Sequence, residues 1–323
     1  MPSLLDVKNL RTYYTTLRGY VKAVDGVSFN IEKGEAMGLV GESGCGKTTV
    51  ILSILKILPP EGKIVNGEIR FKDVDIVKLP EKDMREKIRW KGISLIFQGA
   101  MNALNPVYRV GDQIAEAIRT HEPNVSKKEA LERGRKLFEL VGLDPDRINS
   151  YPHEFSGGMK QRAVIAMALA CNPDLLIADE PATALDVIVQ AQVLQLIKHL
   201  RKTLHLSMIL ITHDLSIVAE SCDKLAVMYA GKIVEYGDLV TIFKEPLHPY
   251  TQALIKAFPD VRAERSPLVS IPGSPPDLLY PPSGCRFNPR CPYSMDICSK
   301  KEPIMLEVKS KLHQVACHLI EKR

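Results

Sequence analysis

The eight residues Gly41-Glu42-Ser43-Gly44-Cys45-Gly46-Lys47-Thr48 constrain this chain more than any others, because they fit the pattern G-x-x-x-x-G-K-[ST] of a phosphate-binding loop. Their flanks suit that reading. Ala36-Met37-Gly38-Leu39-Val40 reads as a buried strand before the loop, and Thr48 to Leu58, with Thr49 in its first turn, reads as a helix after it, stopped by Pro59-Pro60. In such a unit the glycines let backbone N–H groups curl around phosphate oxygens, and the helix N-terminus adds a favourable dipole. Lys47 then reaches the β- and γ-phosphates, and Thr48 offers its hydroxyl to Mg²⁺.

The rest of the composition sets bounds. With 323 residues, 45% hydrophobic and 25% charged, the chain can bury one large core and a smaller one. A net charge of +5 without a Lys/Arg run argues against a nucleic-acid partner. No apolar run approaches a membrane span, and Met1 to Lys8 does not resemble a signal peptide, so a cytoplasmic location is expected. A free thiol in the phosphate loop, Cys45, fits a reducing compartment.

Leu4 to about Val77 reads as β-rich, with an Asn66-Gly67 turn signal ahead of the alternating strand Glu68–Lys72. Gly99 to about Cys171 reads as helical. Ser126-Lys127-Lys128-Glu129 is a capping box for a helix that carries Leu131, Leu137, Phe138 and Val141 and ends at Gly142. Strand–helix alternation returns from Asp174 to Tyr236. The proline-rich stretch Ser266–Gly284 then leads into a cysteine-rich C-terminal extension. These shifts divide the chain into an α/β domain over 1–240, with a helical subdomain at about 99–172, and an extension over 241–323.

Four apolar runs end in residues suited to nucleotide chemistry: Ala36–Val40 in Gly41, Ile93–Phe97 in Gln98, Leu175–Ala178 in Asp179-Glu180, and Met208–Thr212 in His213. A parallel α/β sheet binds ligands at the carboxyl ends of its strands. Asp179 is placed to hold Mg²⁺, and Glu180, the next residue, to polarise the attacking water. Ser156-Gly157-Gly158 can cap the helix that follows, and a helix start is also an anion site. With the phosphate loop already present, a second anion site suggests an ATP shared between two subunits.

Taken in order, Gly41–Thr48, Gln98, Ser156-Gly157-Gly158, Asp179-Glu180, Ala184-Leu185-Asp186 and His213 resemble the nucleotide-binding subunits of ABC transporters. Leu104-Asn105-Pro106, Val110–Ile114, Tyr151–Glu154, Val189–Gln192 and His248-Pro249-Tyr250 narrow the resemblance to dipeptide and oligopeptide importers. It implies a P-loop NTPase of the ABC ATPase type: a mostly parallel core sheet, an antiparallel β subdomain and an α-helical subdomain. Lys47, Thr48, Gln98 and Asp179 would hold Mg-ATP, with Ser156, Gly157 and Gly158 of an opposing subunit closing over the γ-phosphate. Glu180 would be general base, His213 would contact the γ-phosphate and water, and Asp186 would couple the two sites. Tyr14 is expected to stack on adenine, with Tyr13 and Tyr20 as alternatives. The implied partners are two transmembrane permease subunits, a second homologous ATPase and, indirectly, an extracytoplasmic peptide-binding protein, at the cytoplasmic face of the membrane. A nickel or oligosaccharide cargo, or a soluble ABC ATPase acting on DNA or ribosomes, are the competing readings. The chain departs from the family pattern in three places: Phe155 with Met159, Ala182, and Gly99-Ala100.

Cys285, Cys291, Cys298 and Cys317, with five, six and eighteen residues between them, lack the paired C-x2-C of common zinc sites. Zinc and an iron–sulfur cluster both remain chemically open. The resemblance implies a 4Fe–4S cluster on these four thiolates. It is expected to staple the extension, and substituting any of the four by Ser to loosen the extension while leaving ATP binding largely intact. His313 and His318 are expected to be solvated rather than ligands.

Overall fold

Leu5 and Val7 alternate with polar residues along the first strand, Leu10 follows after a register shift past Lys8 and Asn9, and all three are buried. The computed structural model describes residues 3–99, 103–183, 185–257, 271–308 and 310–321. The chain divides into two compact units, Met1–Lys78 with Ile211–Arg323, and Leu79–Leu210.

In the first unit, β1 (Leu5–Thr16) pairs antiparallel with β2 (Gly19–Ile31); β3 (Ala36–Val40) and helix α1 (Lys47–Leu55) flank the phosphate loop. Strands β4 (Gly62–Phe71) and β5 (Val74–Asp75) complete an antiparallel sheet of order β2-β1-β4-β5. All five residues of β3 are buried, as its continuous apolar run requires.

Two local expectations are corrected here. Helix α1 stops at Leu55, three residues before the expected end, because Lys56 turns into the left-handed region (φ 51°) and closes the helix on Leu52 and Ser53. Asn66-Gly67 is no turn but lies inside β4, where the pairing with β1 shifts register. Gly67 is needed because a Cβ there would come within 2.6 Å of the Leu10 Cα.

The second unit begins with the short helix α2 (Glu81–Asp83), a π-helical turn at Met84–Ile88, and β6 (Ile93–Ile96). Helices α3 (Val110–His121), α4 (Lys127–Leu140) and α5 (Gly157–Ala168) follow. Ser126 caps α4 through the Glu129 N–H at 3.2 Å. The face α4 buries is Ala130, Gly134 and Phe138, while Leu131 and Leu137 are only half-buried. Small residues carry it because a Cβ on Gly134 would already stand 3.0 Å from Ile148. Phe155 is buried edge-on to Phe138, with ring centroids 6.2 Å apart, so this departure from the family pattern fills core volume. Burying such a ring contributes about 2 kcal/mol. Then come β7 (Leu175–Asp179), parallel to β6, helix α6 (Val187–Leu204) and β8 (Ser207–Ile211) beside β7. Trp90, half-buried and left-handed at φ 71°, lines a cavity of about 670 Å³ with Arg85, Arg89 and His121.

The chain returns to the first unit with α7 (Leu215–Ser221), β9 (Lys224–Tyr229), parallel to β3, and β10 (Lys232–Asp238). Helices α8 (Leu239–Lys244), α9 (Pro249–Lys256) and α10 (Asp296–Lys300), strands β11 (Leu306–Val308) and β12 (Ser310–Val315), and helix α11 (His318–Glu321) follow. Strand β12 pairs antiparallel with β10, which joins the C-terminal residues to the strands beside the phosphate loop. Residues 271–284 carry no helix or strand, as their prolines dictate, and 266–270 lie outside the described residues. Among the described residues no helix is long and apolar enough to cross a membrane.

Candidate functional site: phosphate loop, strand-end carboxylates and tail cysteines

The phosphate loop leaves β3 at Gly41 and enters α1 at Lys47. Two of its glycines are dictated by space. A Cβ on Gly41 would sit 2.1 Å from the Met228 carbonyl oxygen, and one on Gly46 2.0 Å from that of Ala23. Lys47 is 7% exposed. Its Nζ donates to the carbonyls of Gly41 (2.7 Å) and Glu42 (3.0 Å) and lies 3.7 Å from Cys45 Sγ. Ser43, Gly44 and Thr48 are exposed, so this face of the loop is open. Burial pushes the Cys45 thiol up, which keeps it an inert packing group.

Glu42 is held at three points. Its N–H donates to the Tyr250 hydroxyl at 2.9 Å, its carbonyl accepts from Lys47, and its carboxylate takes both prongs of Arg290 at 2.6 and 2.9 Å. Tyr250 comes from α9, which His248 caps by accepting the Tyr250 N–H on Nδ1 at 3.0 Å. Burial pulls the His248 pKa down to about 4, with Glu235 opposing it only in part.

Of the three tyrosines, Tyr14 donates to or accepts from Thr49 at 3.2 Å in the first turn of α1 and packs on Gly62. Tyr13 donates to Asp25 at 2.8 Å, and Tyr20 is 59% exposed. His213 also belongs to this unit and is exposed on a turn fixed by the Asp214 N–H to Thr212 Oγ1 bond at 3.0 Å.

In the second unit, Asp179 is buried at the end of β7 and Glu180 follows it in the left-handed region at φ 45°. Gln98 Nε2 donates to Glu180 Oε2 at 2.8 Å, and Thr183 Oγ1 donates to the same oxygen at 3.1 Å. Thr183 is not among the expected site residues; a hydroxyl three residues after Glu180 is the only signal that could have found it. Ser156 caps α5 through the Met159 N–H at 3.4 Å, leaving Ser156 and Gly157 exposed. Gly158 lies where a Cβ would come 2.7 Å from Val189. Asp186 caps α6 through the Val189 N–H at 3.0 Å. Ala184 and Ala100 lie outside the described residues.

The four tail cysteines are free thiols; Cys298 and Cys317 are buried and Cys285 and Cys291 half-buried. The Cys285 N–H donates to the Cys298 carbonyl at 2.8 Å. Burial raises Cys285 and Cys317 to about 11, and the other three thiols act on Cys285 in the same direction, so the sulfurs lie within electrostatic reach of one another. Among the described residues no three His, Cys, Asp or Glu side chains stand close enough to grip a single ion. The histidines are not solvated, contrary to expectation. His313 is buried on Glu235 at 2.7 Å, and His318 is buried between Glu321 and the Lys301 carbonyl, both at 2.8 Å.

Residues 24–183 match the family model described as ABC transporter, and residues 234–298 match that of the oligopeptide/dipeptide transporter C-terminal region. The chain is 49% identical to the dipeptide transport ATP-binding protein DppD of Bacillus subtilis, over 100% of this chain and 96% of that one. The chain belongs to the ABC transporter ATP-binding family. A second member, the oligopeptide transport ATP-binding protein OppD of Escherichia coli, is 46% identical over 94% of this chain and 89% of its own. A solved dimeric ATP-binding cassette, in a post-hydrolysis state with ADP and Pi, superposes with a TM-score of 0.64 at 26% identity, covering 73% of this chain and 98% of that one. The fold is therefore the ABC ATPase cassette, a mixed α/β fold with parallel and antiparallel sheets, and the activity of this family member is ATP hydrolysis.

Proposed function

We propose that this chain is the ATP-hydrolysing subunit of a dipeptide or oligopeptide importer. The observation that carries the cargo class is the match of residues 234–298 to the peptide-transporter C-terminal region, since the ATPase motifs alone fit any ABC importer. We read 1–240 as the ATPase domain and 241–323 as its extension.

Lys47 would exchange a loop carbonyl for a phosphate oxygen, which its ammonium binds more strongly than a neutral acceptor. Gly41 to Thr49 would cradle the phosphates, and Thr48, Gln98 and Asp179 would hold Mg²⁺, which neutralises charge on the phosphates when bound. Glu180 would take the proton of the attacking water after releasing Gln98 and Thr183, and His213 would orient that water. Tyr14 would stack on adenine, with Tyr13 and Tyr20 as alternatives; the hydroxyls of Tyr14 and Tyr13 are committed to Thr49 and Asp25, and such bonds do not engage the ring faces. Ser156, Gly157 and Gly158 would face the phosphate bound by an opposing subunit, with Asp186 between the two sites. Exposed Val187 (80%) and Ile188 (72%) beside Asp186 support a second ATPase there. Exposed Phe97 (46%), next to Gln98, and exposed Val107 (70%) and Tyr108 (58%) support contact with membrane subunits. In the assembly we propose, these are two permease subunits at the cytoplasmic face of the membrane, fed by an extracytoplasmic peptide-binding protein.

A 4Fe–4S cluster fits the four tail thiols better than zinc. A cluster sets its thiolates farther apart than one ion does, and among the described residues no three such side chains stand close enough for one ion. Ligation of either kind would ionise sulfurs that burial otherwise keeps protonated. Anaerobic protein should carry iron and sulfide in equal amounts; stoichiometric zinc would replace that reading. The cargo is tested by reconstituting the chain with its co-purifying membrane subunits and measuring ATP-dependent uptake of a labelled dipeptide. Uptake of nickel or an oligosaccharide instead, or recovery of ribosomes or DNA with no membrane protein, would overturn it.

A further inference from the structure

Two arginines stand beside the first two tail cysteines, Arg286 after Cys285 and Arg290 before Cys291, and both are buried. A guanidinium taken out of water needs full pairing. Arg286 meets it with Asp25, the residue that also receives the Tyr13 hydroxyl. Arg290 meets it with Glu42, the second residue of the phosphate loop and 248 positions away in sequence.

Arg290 has little freedom of its own. Its Nε donates to the Pro272 carbonyl at 2.7 Å, its Nη1 lies 3.2 Å from the Tyr229 hydroxyl, and its guanidinium stands 5.7 Å from the Tyr229 ring centre. Its backbone is the last residue of a 3-10 turn, Asn288–Arg290, that ends at Cys291. Glu42, in turn, is the residue whose carbonyl holds Lys47. A carboxylate on a loop built to receive phosphates works against that loop unless a cation cancels it. A two-pronged arginine cancels the charge and also fixes where the carboxylate points.

We propose that Arg290 is a positioning residue for nucleotide binding: by pairing with Glu42 it removes a negative charge from the phosphate loop and fixes the backbone that orients Lys47. Nucleotide affinity is thereby tied to the cysteine-rich extension, against the expectation that the extension could be loosened with ATP binding intact. The inference rests on Gly41–Thr48 being the phosphate cradle.

The test is titration of the full chain with a fluorescent ATP analogue, with steady-state ATPase measured alongside. Arg290→Ala should raise Kd and KM roughly 5- to 100-fold, the usual span of coupling between distinct sites, with a smaller change in kcat. Arg290→Ala combined with Glu42→Gln removes the stranded carboxylate and should recover most of the lost affinity, which a merely structural arginine would not permit. Arg290→Lys keeps the charge but not the fork and should fall between. If Arg290→Ala does not fold, Arg290→Lys with and without Glu42→Gln makes the same comparison. Wild-type Kd in both Arg290 variants, or a double variant as weak as the single, overturns the proposal. Lys47→Ala separates the two readings: if it binds nucleotide normally, the cradle assignment itself is wrong, whatever Arg290 does.

Discussion

Lys47 is buried and its ammonium is held by atoms of its own loop, whereas Glu180 is half-buried and its carboxylate is held by two exposed side chains, Gln98 and Thr183. The first arrangement suits a group that must stay in place. Gly41 and Gly46 leave no room for a side chain, and Glu42 is tied at backbone and side chain alike. The second suits a group that must let go. Each solvent-exposed hydrogen bond is worth about 1 kcal/mol net, so releasing Glu180 toward a water is a small step. On the proposed reading, binding is built into backbone and buried charge, and catalysis is left to side chains that can turn.

The sharpest attempt to break this contrast is Glu180→Gln. It should bind ATP as the wild type does and hydrolyse it roughly 10²–10⁴-fold more slowly in the reassembled complex, the span of a lost general base. Unchanged turnover would remove Glu180 from the chemistry. On the loop side the outcome should be the reverse, a loss of structure before a loss of chemistry. Gly46 combines φ 108° with a carbonyl 2.0 Å from any Cβ, so Gly46→Ala should cost on the order of 3 kcal/mol and abolish nucleotide binding. Thermal melting and a binding titration would read both.

A pH series sharpens the same point through α9, whose Tyr250 steadies Glu42. His248 in the folded chain resists protonation down to about 4, while an unfolded histidine takes up its proton near 6.5. Its folded pKa is depressed, so as pH falls from 6.5 toward 4 the unfolded chain binds a proton that the folded chain refuses. Stability is therefore lost over that window, by about 2 kcal/mol between pH 7 and pH 5. His248→Asn, which can still accept the Tyr250 N–H, should flatten this slope in urea unfolding. A slope unchanged by the substitution would assign the loss elsewhere. The smallest effect is expected at Thr183. Thr183→Val deletes the Thr183 bond to Glu180 and should change kcat by about fivefold while leaving nucleotide Kd alone. A change in Kd without one in kcat would contradict the division of labour between the two regions.

What could be read in advance follows the same line. The loop, the buried strand before it and the strand-end residues were legible because they are local: glycine spacing, apolar runs and the polar residue that ends each run. The helix stop at Lys56 was not, because a left-handed lysine leaves no mark in composition, and Pro59-Pro60 pointed three residues too far. Asn66-Gly67 misled because a bulge and a turn ask for the same residues. The burial of His313 and His318 depends on Glu235 and Lys301, and the reach of Arg290 on Glu42. Pairs of distant residues carry no periodicity to read.

Trp90 has one more consequence. It is the single tryptophan of the chain, and it sits in the unit Leu79–Leu210, in a half-buried setting beside His121, with ring centres 6.0 Å apart. Ultraviolet emission excited at the red edge of indole absorption therefore comes from that unit alone. The ten tyrosines absorb at shorter wavelength and are spread over both units. Nature has placed an optical label where Gln98 and Glu180 reside and none where the phosphate loop resides. Titrating nucleotide while watching this one fluorophore would time the response of the carboxylate-bearing unit without attaching a dye.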